Sequence, residues 1–365
     1  MRAPADPAGA LLRYAGIMKA QQPRTALTLP DGTEVGAAAP AIVSASRVTD
    51  IPAFHARWLM ARLRAGWCAR RNPYSGRLSY ISFENCRAIV FWTKDPSRLM
   101  PMLGEIASMG CNFYFLFTLN SYEGTGLEPC VRSFKARAEA FRKLAKMLGP
   151  SRVIWRFDPL ILAPGLGVAD LIGRVREAGE AIFGCSERLI VSFADIRGYS
   201  RVRRNLAEGG IFKDAEDALA GEFSRAQMLE AAAGLARLRD GWKASGWDLE
   251  ITTCAEDIGL EEFGITHGAC IDAALMQRLW PHDERLMHYL RTGKVLKDGM
   301  RPLPIPATPP DLKDPSQRKA CRCAASRDIG SGGTCPHLCA YCYANPSRQA
   351  VMASLKIASQ DSPAL

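Results

Sequence analysis

The stretch SFKARAEAFRKLAKMLGPSRVIWRFDP (residues 133–159) contains a helical pattern that is followed directly by a strand pattern. In its first part Phe134, Phe141 and Leu148 fall on one face, at the spacing of an amphipathic helix. Its second part, RVIWRF, is a short β-branched and aromatic run of the kind that forms a buried strand. A helix followed by a strand is part of the repeating unit of a parallel sheet.

The same alternation continues along most of the chain. Further apolar runs predict strands at residues 41–46, 87–93, 112–118, 188–193 and 249–254. Helical periodicity occurs between them, at residues 54–65, 97–109, 168–183, 225–243 and 272–290. We therefore expect parallel βα units with right-handed crossovers, which form either an open doubly wound sheet or a barrel.

Polar side chains follow every predicted strand. They are Ser46, Arg47, Thr49 and Asp50; Thr93, Lys94 and Asp95; Thr118, Asn120 and Tyr122; Arg156 and Asp158; Ser192 and Asp195; and Thr253, Cys254, Glu256 and Asp257. Helix capping alone accounts for such residues at some of these positions. An open sheet, however, gathers a site at one switch point, whereas a barrel gathers it from the loops after all strands. The sequence therefore predicts an α/β protein with a partial (β/α)6 TIM-like barrel.

Composition divides the chain into four parts. Residues 1–39 are rich in Ala, Pro and Gly and are predicted to be a flexible extension with a hairpin at TLPDGTEV. Residues 40–305 form the predicted barrel. Residues 306–346 lack an apolar face, so we expect a bound metal centre to order them and their loop to fold back over the barrel mouth. Residues 347–365 are a C-terminal tail.

The formal net charge of +10 is typical of a protein with an anionic partner, nucleic acid included, and equally of a basic enzyme with solvated arginines. The densest basic stretches are CARRNPYSGR (residues 68–77) and RGYSRVRRN (residues 197–205). No apolar run is long enough to span a membrane, and the N-terminus lacks the apolar core of a signal peptide. We therefore predict a cytoplasmic protein that does not contact membranes.

Of the 12 cysteines, those from Cys254 onward are clustered, and three of them stand in CPHLCAYCYANP (residues 335–346). The spacing is C-x3-C-x2-C, and a C-x-C pair at Cys321 and Cys323 precedes it. A cytoplasmic location argues against disulfides. A closed zinc site could combine the three cysteines with Cys321 or Cys323. An iron–sulfur cluster could instead use the three alone, which leaves one iron open to a non-protein ligand.

The motif, with aromatic Tyr341 just before its last cysteine, resembles the signature of the radical S-adenosylmethionine enzymes. The resemblance implies that Cys335, Cys339 and Cys342 hold a [4Fe-4S] cluster and that S-adenosylmethionine chelates its fourth iron. It also implies reductive cleavage of that cosubstrate to a 5'-deoxyadenosyl radical. The loop is similar to that of the spore photoproduct lyase group, which repairs DNA. Radical enzymes of this type generally carry the loop after their first strand, whereas here it follows the last.

A longer part of the chain, from about Ala41 to Pro346, resembles an uncharacterised bacterial family, domain of unknown function 1848. The matching segments are IVSASRVTDIPAF, IVFWTKDP, VIWRFDP, TCAEDI, HGACID and CRCAASRDIGSGGTCPHLCAYCYAN. Since the activity of that family is not established, the chemistry has to come from the residues.

The chemistry of the strand-end side chains indicates their roles. Arg47, Arg156 and Lys94 are cations suited to an anionic substrate or to the carboxylate of S-adenosylmethionine, and the first two are assigned to the cofactor. Asp50 is suited to ribose hydroxyls, and Tyr341 is assigned to cofactor binding by its place in the motif. These residues are the predicted cofactor site.

The candidate catalytic residues are Cys254, Asp158 and Glu256. Cys254 follows a strand, where its thiol could donate hydrogen to a substrate radical. Alternatively, it joins the remaining late cysteines in a second metal centre, a cluster or a zinc ion. These remaining cysteines are Cys270, Cys321 and Cys323.

The sequence thus predicts a radical S-adenosylmethionine-like enzyme that acts on a small-molecule or nucleic-acid substrate. Such an enzyme needs a reductant, for example flavodoxin or ferredoxin. The alternative is an iron–sulfur or zinc protein that does not use S-adenosylmethionine and serves as a sensor, an electron carrier or a nucleic-acid-binding module.

Overall fold

The computed structural model describes residues 23–72, 75–357 and 359–365, with the main chain only at Ile357. The strands of this part are β1 (Arg24–Thr28), β2 (Glu34–Ala38), β3 (Ile42–Ala45), β4 (Trp67–Arg71), β5 (Leu78–Ser82), β6 (Ala88–Thr93), β7 (Asn112–Thr118), β8 (Val153–Leu160), β9 (Arg188–Phe193), β10 (Glu250–Thr253), β11 (Thr266–His267) and β12 (Arg327–Asp328). The helices are α1 (Ile51–Phe54), α2 (Ala56–Ala65), α3 (Leu103–Ser108), α4 (Phe134–Leu148), α5 (Val168–Ala181), α6 (Ser200–Glu208), α7 (Arg225–Ala244), α8 (Ala273–Leu279), α9 (Glu284–Thr292) and α10 (Arg348–Ile357).

The centre of the protein is an 8-stranded sheet with the order β11-β10-β9-β8-β7-β6-β3-β12. All its ladders are parallel, which confirms the predicted mixed α/β class. The predicted strands correspond to β3, β6, β7, β8, β9 and β10. Apart from β12, neighbours in the sheet follow one another along the chain, so the order does not reverse at a switch point as it does in a doubly wound sheet.

The two edges of this sheet are β11 and β12, and no ladder joins them in the part of the chain that the structure describes. A closed barrel is therefore not formed. The edges are connected by a contact between residues 267–271, next to β11, and residues 321–324, before β12. In this contact, called the seam below, the amide of Ala324 donates to the carbonyl of Ile271 over 2.9 Å.

The two faces of the sheet have separate apolar cores because successive side chains of a strand point to opposite faces. On β7, Phe113, Phe115 and Phe117 pack into the core that includes α2, α4, α5 and α7. Tyr114 and Leu116 point to the other face, called the inner face, and pack into the core that includes α8 and α9. The helices on the two sides therefore cover the sheet in two layers.

The single helix predicted at residues 272–290 is wrong, because α8 and α9 are separate helices. Pro281 lies between them. Proline lacks the N–H of a helical hydrogen bond, and it disfavours helical geometry at Trp280 before it. Helix α9 begins at Glu284. Asp283 caps it, since its side chain accepts a hydrogen bond from the amide of Leu286 over 2.9 Å.

A second sheet has the order β1-β2-β5-β4. Its β1 and β2 are antiparallel and form the hairpin predicted at TLPDGTEV. Residues 24–38 were expected within a flexible extension, but their alternating pattern lets one face pack, and β2 pairs with β5. The rest of that extension, residues 1–22, lies outside the described residues.

The C-terminal tail contains α10 and then returns to the body of the protein. The carbonyl of Pro363 accepts the amide of Ala69 over 2.7 Å, and the indole of Trp58 donates to the carbonyl of Ser362 over 2.9 Å. Among the described helices, none combines the length and the apolar character that crossing a membrane requires.

Candidate active site

A cavity of about 480 Å³ lies at the carboxyl ends of the parallel strands. All of the predicted site residues line it except Glu256. The strand-end residues on its wall include Ser46, Arg47, Thr49, Asp50, Trp92, Thr93, Lys94, Thr118, Arg156, Asp158, Ser192, Asp195 and Cys254. The cavity is thus built from the ends of six successive strands of the parallel sheet, β3 and β6 to β10.

The cysteine loop, residues 335–346, crosses these strand ends, and the thiols of Cys335, Cys339 and Cys342 lie on the wall of the same cavity. Within the loop, the side chain of Asn345 donates to the carbonyl of Cys335 over 2.9 Å. The backbone amide of Asn345 donates to the Cys342 sulfur over 3.3 Å. Leu338, just before Cys339, has a left-handed backbone with φ of 51°. A non-glycine residue in this region is strained, and such strain is frequent at functional sites.

Asp50 fastens the cysteine loop to the ends of β3 and β6. Its buried carboxylate accepts hydrogen bonds from the Thr93 hydroxyl over 2.7 Å and the Lys94 amide over 2.7 Å. It also lies 2.8 Å from Nε2 of His337, in the loop, and accepts the amide of Ala53 at the start of α1 over 3.0 Å. Both oxygens of Asp50 are thus used within the chain, so its observed contacts hold the loop in place.

A second anchor of the loop is the buried carboxylate of Glu128, which the sequence did not single out. Lys94 Nζ lies 2.7 Å from it, the hydroxyl of Tyr341 donates to it, and Arg137 pairs with its other oxygen over 3.6 Å. Burial raises the pKa of Glu128, but Lys94 and Arg137 outweigh burial, so the net shift is downward. The carboxylate is therefore ionised beneath the loop.

Helix α6 holds the loop from the other side. The side chain of Asn205 donates to the carbonyl of Cys342 over 2.7 Å, Arg201 to that of Tyr343 over 3.2 Å, and Arg204 to that of Pro346 over 2.7 Å. These residues belong to the stretch RGYSRVRRN, which the sequence indicated as a basic surface. Much of its hydrogen-bonding capacity is directed at the loop.

Segment 327–330, which begins with β12, is fastened to β3 and to the residues that follow β3. The carboxylate of Asp328 accepts hydrogen bonds from the hydroxyls of Ser44 and Ser46 over 2.8 and 2.7 Å and from the amide of Arg47 over 2.8 Å. A Cβ atom at Gly330 would collide with Ser46, so only glycine lets the chain pass this close. The loop therefore starts from a fixed position beside β3.

Two arginines bring positive charge to the cavity wall. The guanidinium of Arg47 lies 5.1 Å from the centre of the Trp92 ring, a cation–π distance. Arg156 forms an ion pair with Asp158, while its Nε is buried without a partner among the described residues. A buried donor without a partner is available for an anionic or carbonyl group of a ligand.

The other late cysteines meet at and beside the seam, and we call them the seam thiols: Cys254, Cys270, Cys321 and Cys323. The sulfurs of Cys254 and Cys270 lie 3.3 Å apart, and the backbone amide of Ile271 donates to the Cys323 sulfur over 3.4 Å. All four line the cavity. Within the described residues, however, no three side chains of His, Cys, Asp or Glu are grouped as around a bound metal ion.

A family model with the description "Domain of unknown function (DUF1848)" matches residues 42–344. The chain belongs to this family. The resemblance seen in the sequence is thereby confirmed, whereas the curated proteins contain no match. The matched part begins with β3 and reaches into the cysteine loop, so the DUF1848 domain contains the whole parallel sheet, the cavity and both groups of cysteines.

One predicted site residue of the DUF1848 domain, Glu256, lies outside the cavity wall. The alternation that places Cys254 on the inner face stops because β10 ends at Thr253 and Ala255 has a left-handed backbone with φ of 58°. The Glu256 carboxylate instead accepts the amide of Phe193 over 3.0 Å. Burial raises the pKa of Glu256 to about 7.

Proposed function

We propose that this DUF1848 protein is a radical S-adenosylmethionine-like enzyme in which Cys335, Cys339 and Cys342 hold a [4Fe-4S] cluster. The observation that carries the proposal is that three thiols of one short loop lie on the wall of a cavity at the strand ends. When bound and reduced, such a cluster supplies the electron that splits S-adenosylmethionine into methionine and a 5'-deoxyadenosyl radical, which abstracts hydrogen from a substrate.

The donor set fits a cluster better than free reactive thiols. Burial raises the pKa of Cys335 to about 12 and that of Cys339 well above its usual range, so without a metal these thiols are protonated. Thiolates are the nucleophilic and metal-binding form of cysteine, and metal binding drives their deprotonation. Half-buried thiols facing an open cavity are therefore suited to a metal centre.

The spacing along the chain supports a cluster over a single zinc ion. Iron–sulfur clusters take several thiolates from one short loop, and Cys335, Cys339 and Cys342 lie within eight residues. A closed zinc site has four ligands, so it would need a fourth from another part of the chain.

The strand order also supports a radical enzyme of this type. The cysteine loop follows β12, which stands last among the strands but first in the sheet, beside β3. In space the loop thus follows an edge strand, as it follows the first strand in the enzymes that the motif resembles. We extend the proposal to the architecture: the parallel sheet is a partial barrel with its mouth at the cavity.

The residues of the cavity have separate tasks in this proposal. Lys94 and Tyr341 hold the loop through Glu128, and Asp50 holds it through His337. Arg47 and Arg156 bind carboxylate groups of the cosubstrate or the substrate. We assign a holding role to Asp50 instead of the predicted contact with ribose.

The cavity suits a small anionic substrate. Its volume of about 480 Å³ falls within the range of small-molecule sites, and arginines contribute to its wall. A nucleic acid would have to present a single extruded residue, and Arg201 and Arg204 of α6 are engaged with the loop. We further propose a cytoplasmic enzyme reduced by a flavodoxin or ferredoxin, since the 12 cysteines are free thiols.

Anaerobic purification tests this function. We expect iron and sulfide together, a paramagnetic resonance signal after reduction, and formation of 5'-deoxyadenosine from S-adenosylmethionine. A triple variant with Cys335→Ala, Cys339→Ala and Cys342→Ala should lose 5'-deoxyadenosine formation. Cys130→Ala, at an exposed cysteine away from the cavity, is the matched control and should retain it. Zinc without sulfide in the wild-type protein would exclude the proposal.

A further inference from the structure

The seam thiols form a second group of potential ligands that the cysteine loop does not use. They come from three separate segments: Cys254 follows β10, Cys270 follows β11, and Cys321 and Cys323 precede β12. We propose that these four thiols bind a thiophilic metal centre of their own, at the open edge of the sheet. Four thiolates are the donor set of structural zinc and of a cubane iron–sulfur cluster alike.

All four thiols line the same cavity, and the backbone amide of Ile271, the residue after Cys270, donates to the Cys323 sulfur over 3.4 Å. The Cys254 and Cys270 sulfurs, 3.3 Å apart, are close to the separation of about 3.8 Å between two thiolates on one tetrahedral zinc ion. Buried structural cysteines usually pack as single small apolar side chains. Four thiols from three segments that line one cavity, two of them 3.3 Å apart, therefore point to a common ligand.

The surroundings match a negatively charged thiolate centre. Arg47 interacts electrostatically with Cys323, and Arg156 does so with Cys270 and Cys254. The amide of Ile271 donates to the Cys323 sulfur over 3.4 Å. Nearby cations and N–H donors stabilise thiolates, and a metal ion between the sulfurs removes their mutual repulsion.

The backbone on both sides of the seam is shaped around these thiols. Ala255, directly after Cys254, is one of two non-glycine residues with positive φ in the described chain, and the other precedes Cys339. Each group of cysteines thus has one strained residue next to a ligand candidate. Because no ladder joins β11 to β12, a metal held from both sides would close the sheet where backbone hydrogen bonds do not.

A disulfide is the main rival explanation, since Cys254 and Cys270 are close enough to react after a small movement. A disulfide would use only two of the four thiols. It would also leave the buried thiols of Cys321 and Cys323 unexplained. The metal centre uses all four.

The test separates this centre from that of the loop by using the triple variant with Cys335→Ala, Cys339→Ala and Cys342→Ala. We expect the purified variant to retain one metal centre per chain, measured as zinc or as iron with sulfide. Addition of Cys270→Ser or Cys323→Ser should remove it. Cys185→Ser, at a cysteine outside the cavity, is the matched control and should leave the metal content unchanged.

Titration with Co²⁺ of the metal-free triple variant gives a readout that does not depend on further substitutions. Binding by the seam thiols should produce the intense sulfur-to-metal absorption of thiolate coordination, and Cys323→Ser should weaken it. No bound metal together with no such absorption would overturn the proposal. A Cys254–Cys270 disulfide detected by mass spectrometry of the metal-free wild type would do so as well.

The outcomes distinguish the two proposals. Metal in the triple variant combined with absence of 5'-deoxyadenosine formation in the wild type would support the seam centre and reject the radical function. Cleavage of S-adenosylmethionine by the wild type, with no metal left in the triple variant, would support the radical function and reject the seam centre.

Discussion

The cysteine loop supplies its three thiols from one short segment, whereas the seam thiols come from three segments on both sides of an open sheet edge. The loop has few internal contacts and is held by side chains of other elements: Asp50, Glu128 and Asn205. Among the seam thiols, those of Cys254 and Cys270 instead lie 3.3 Å from each other. The same ligand chemistry can thus be reached by spacing along the chain or by tertiary packing.

This difference determines how each region should respond to mutation. The loop depends on its anchors, so a change at an anchor should loosen it without affecting the seam. The seam depends on the two edges of the parallel sheet. A substitution at Tyr114, which bonds the Cys270 carbonyl, should therefore loosen the seam without affecting the loop. Four substitutions test this, in order of decreasing effect.

Glu128→Ala should have the largest effect. It leaves Lys94 and Arg137 without their buried carboxylate, and breaking a buried pair from one side costs about 3–5 kcal/mol of the free energy of unfolding. Urea unfolding measures the loss. The control Glu139→Ala, on the exposed side of α4, should change stability by less than about 0.5 kcal/mol. Equal losses for both variants would show that Glu128 is not an anchor.

Tyr114→Phe tests the seam. The Tyr114 hydroxyl donates to the carbonyl of Cys270 and accepts the amide of Asp272 over 3.1 Å. Without this hydroxyl, the Cys270 carbonyl and the Asp272 amide lose their partner, which should cost about 1–3 kcal/mol of the free energy of unfolding. Tyr80→Phe, in the second sheet against Trp67, is the control. The proposed seam centre should lose its metal more readily while the proposed loop cluster retains its iron, and the opposite selectivity would contradict the comparison.

Asn205→Ala tests the loop with a smaller change. Loss of the hydrogen bonds to the carbonyls of Cys342 and Asn345 should cost about 1 kcal/mol. Because the loop carbonyls become free to move, a chelator should remove iron from the loop several times faster. Arg203→Ala, whose guanidinium bonds the carbonyl of Arg197 over 2.6 Å, is the matched change on the same helix. Similar chelation rates in both variants would argue against a specific role of Asn205.

Arg204→Ala should have the smallest effect. Its side chain is 51% exposed, and it pairs with Glu208 at 3.7 Å besides its bond to the Pro346 carbonyl. Exposed interactions of this type contribute about 0.2–1 kcal/mol. We expect a shift in thermal midpoint of a few degrees at most, reduced further at high salt. A loss as large as that of Asn205→Ala would mean that α6 holds the loop mainly by charge.

Local patterns predicted the central strands because buried parallel strands are continuous apolar runs, as NFYFLFT is in β7. They also identified the polar strand ends, since these residues directly follow the apolar runs. The strands β11 and β12 contain two residues each, which is too short for any pattern. Their pairing depends on contacts between distant segments.

The candidate site was predictable to the extent that it is local. The spacing of Cys335, Cys339 and Cys342 predicted a ligand segment, and the structure places all three on the cavity wall, but nothing near Glu128 in the sequence indicates that its carboxylate lies beneath that loop. The arginines of α6 looked like a basic surface because a sequence shows charge without showing its partner. Only the fold shows that Arg201 and Arg204 donate to loop carbonyls.

The position of β12 has a consequence for how this family can be compared with other proteins. The strand β12 is the last described strand along the chain but lies beside β3, the first strand of the parallel sheet, which is the arrangement that a circular permutation produces. An alignment that reads from N- to C-terminus can match either the parallel strands or the cysteine loop to a protein with the loop after its first strand, but not both. Structural superposition that ignores chain order is therefore the appropriate way to search for its relatives.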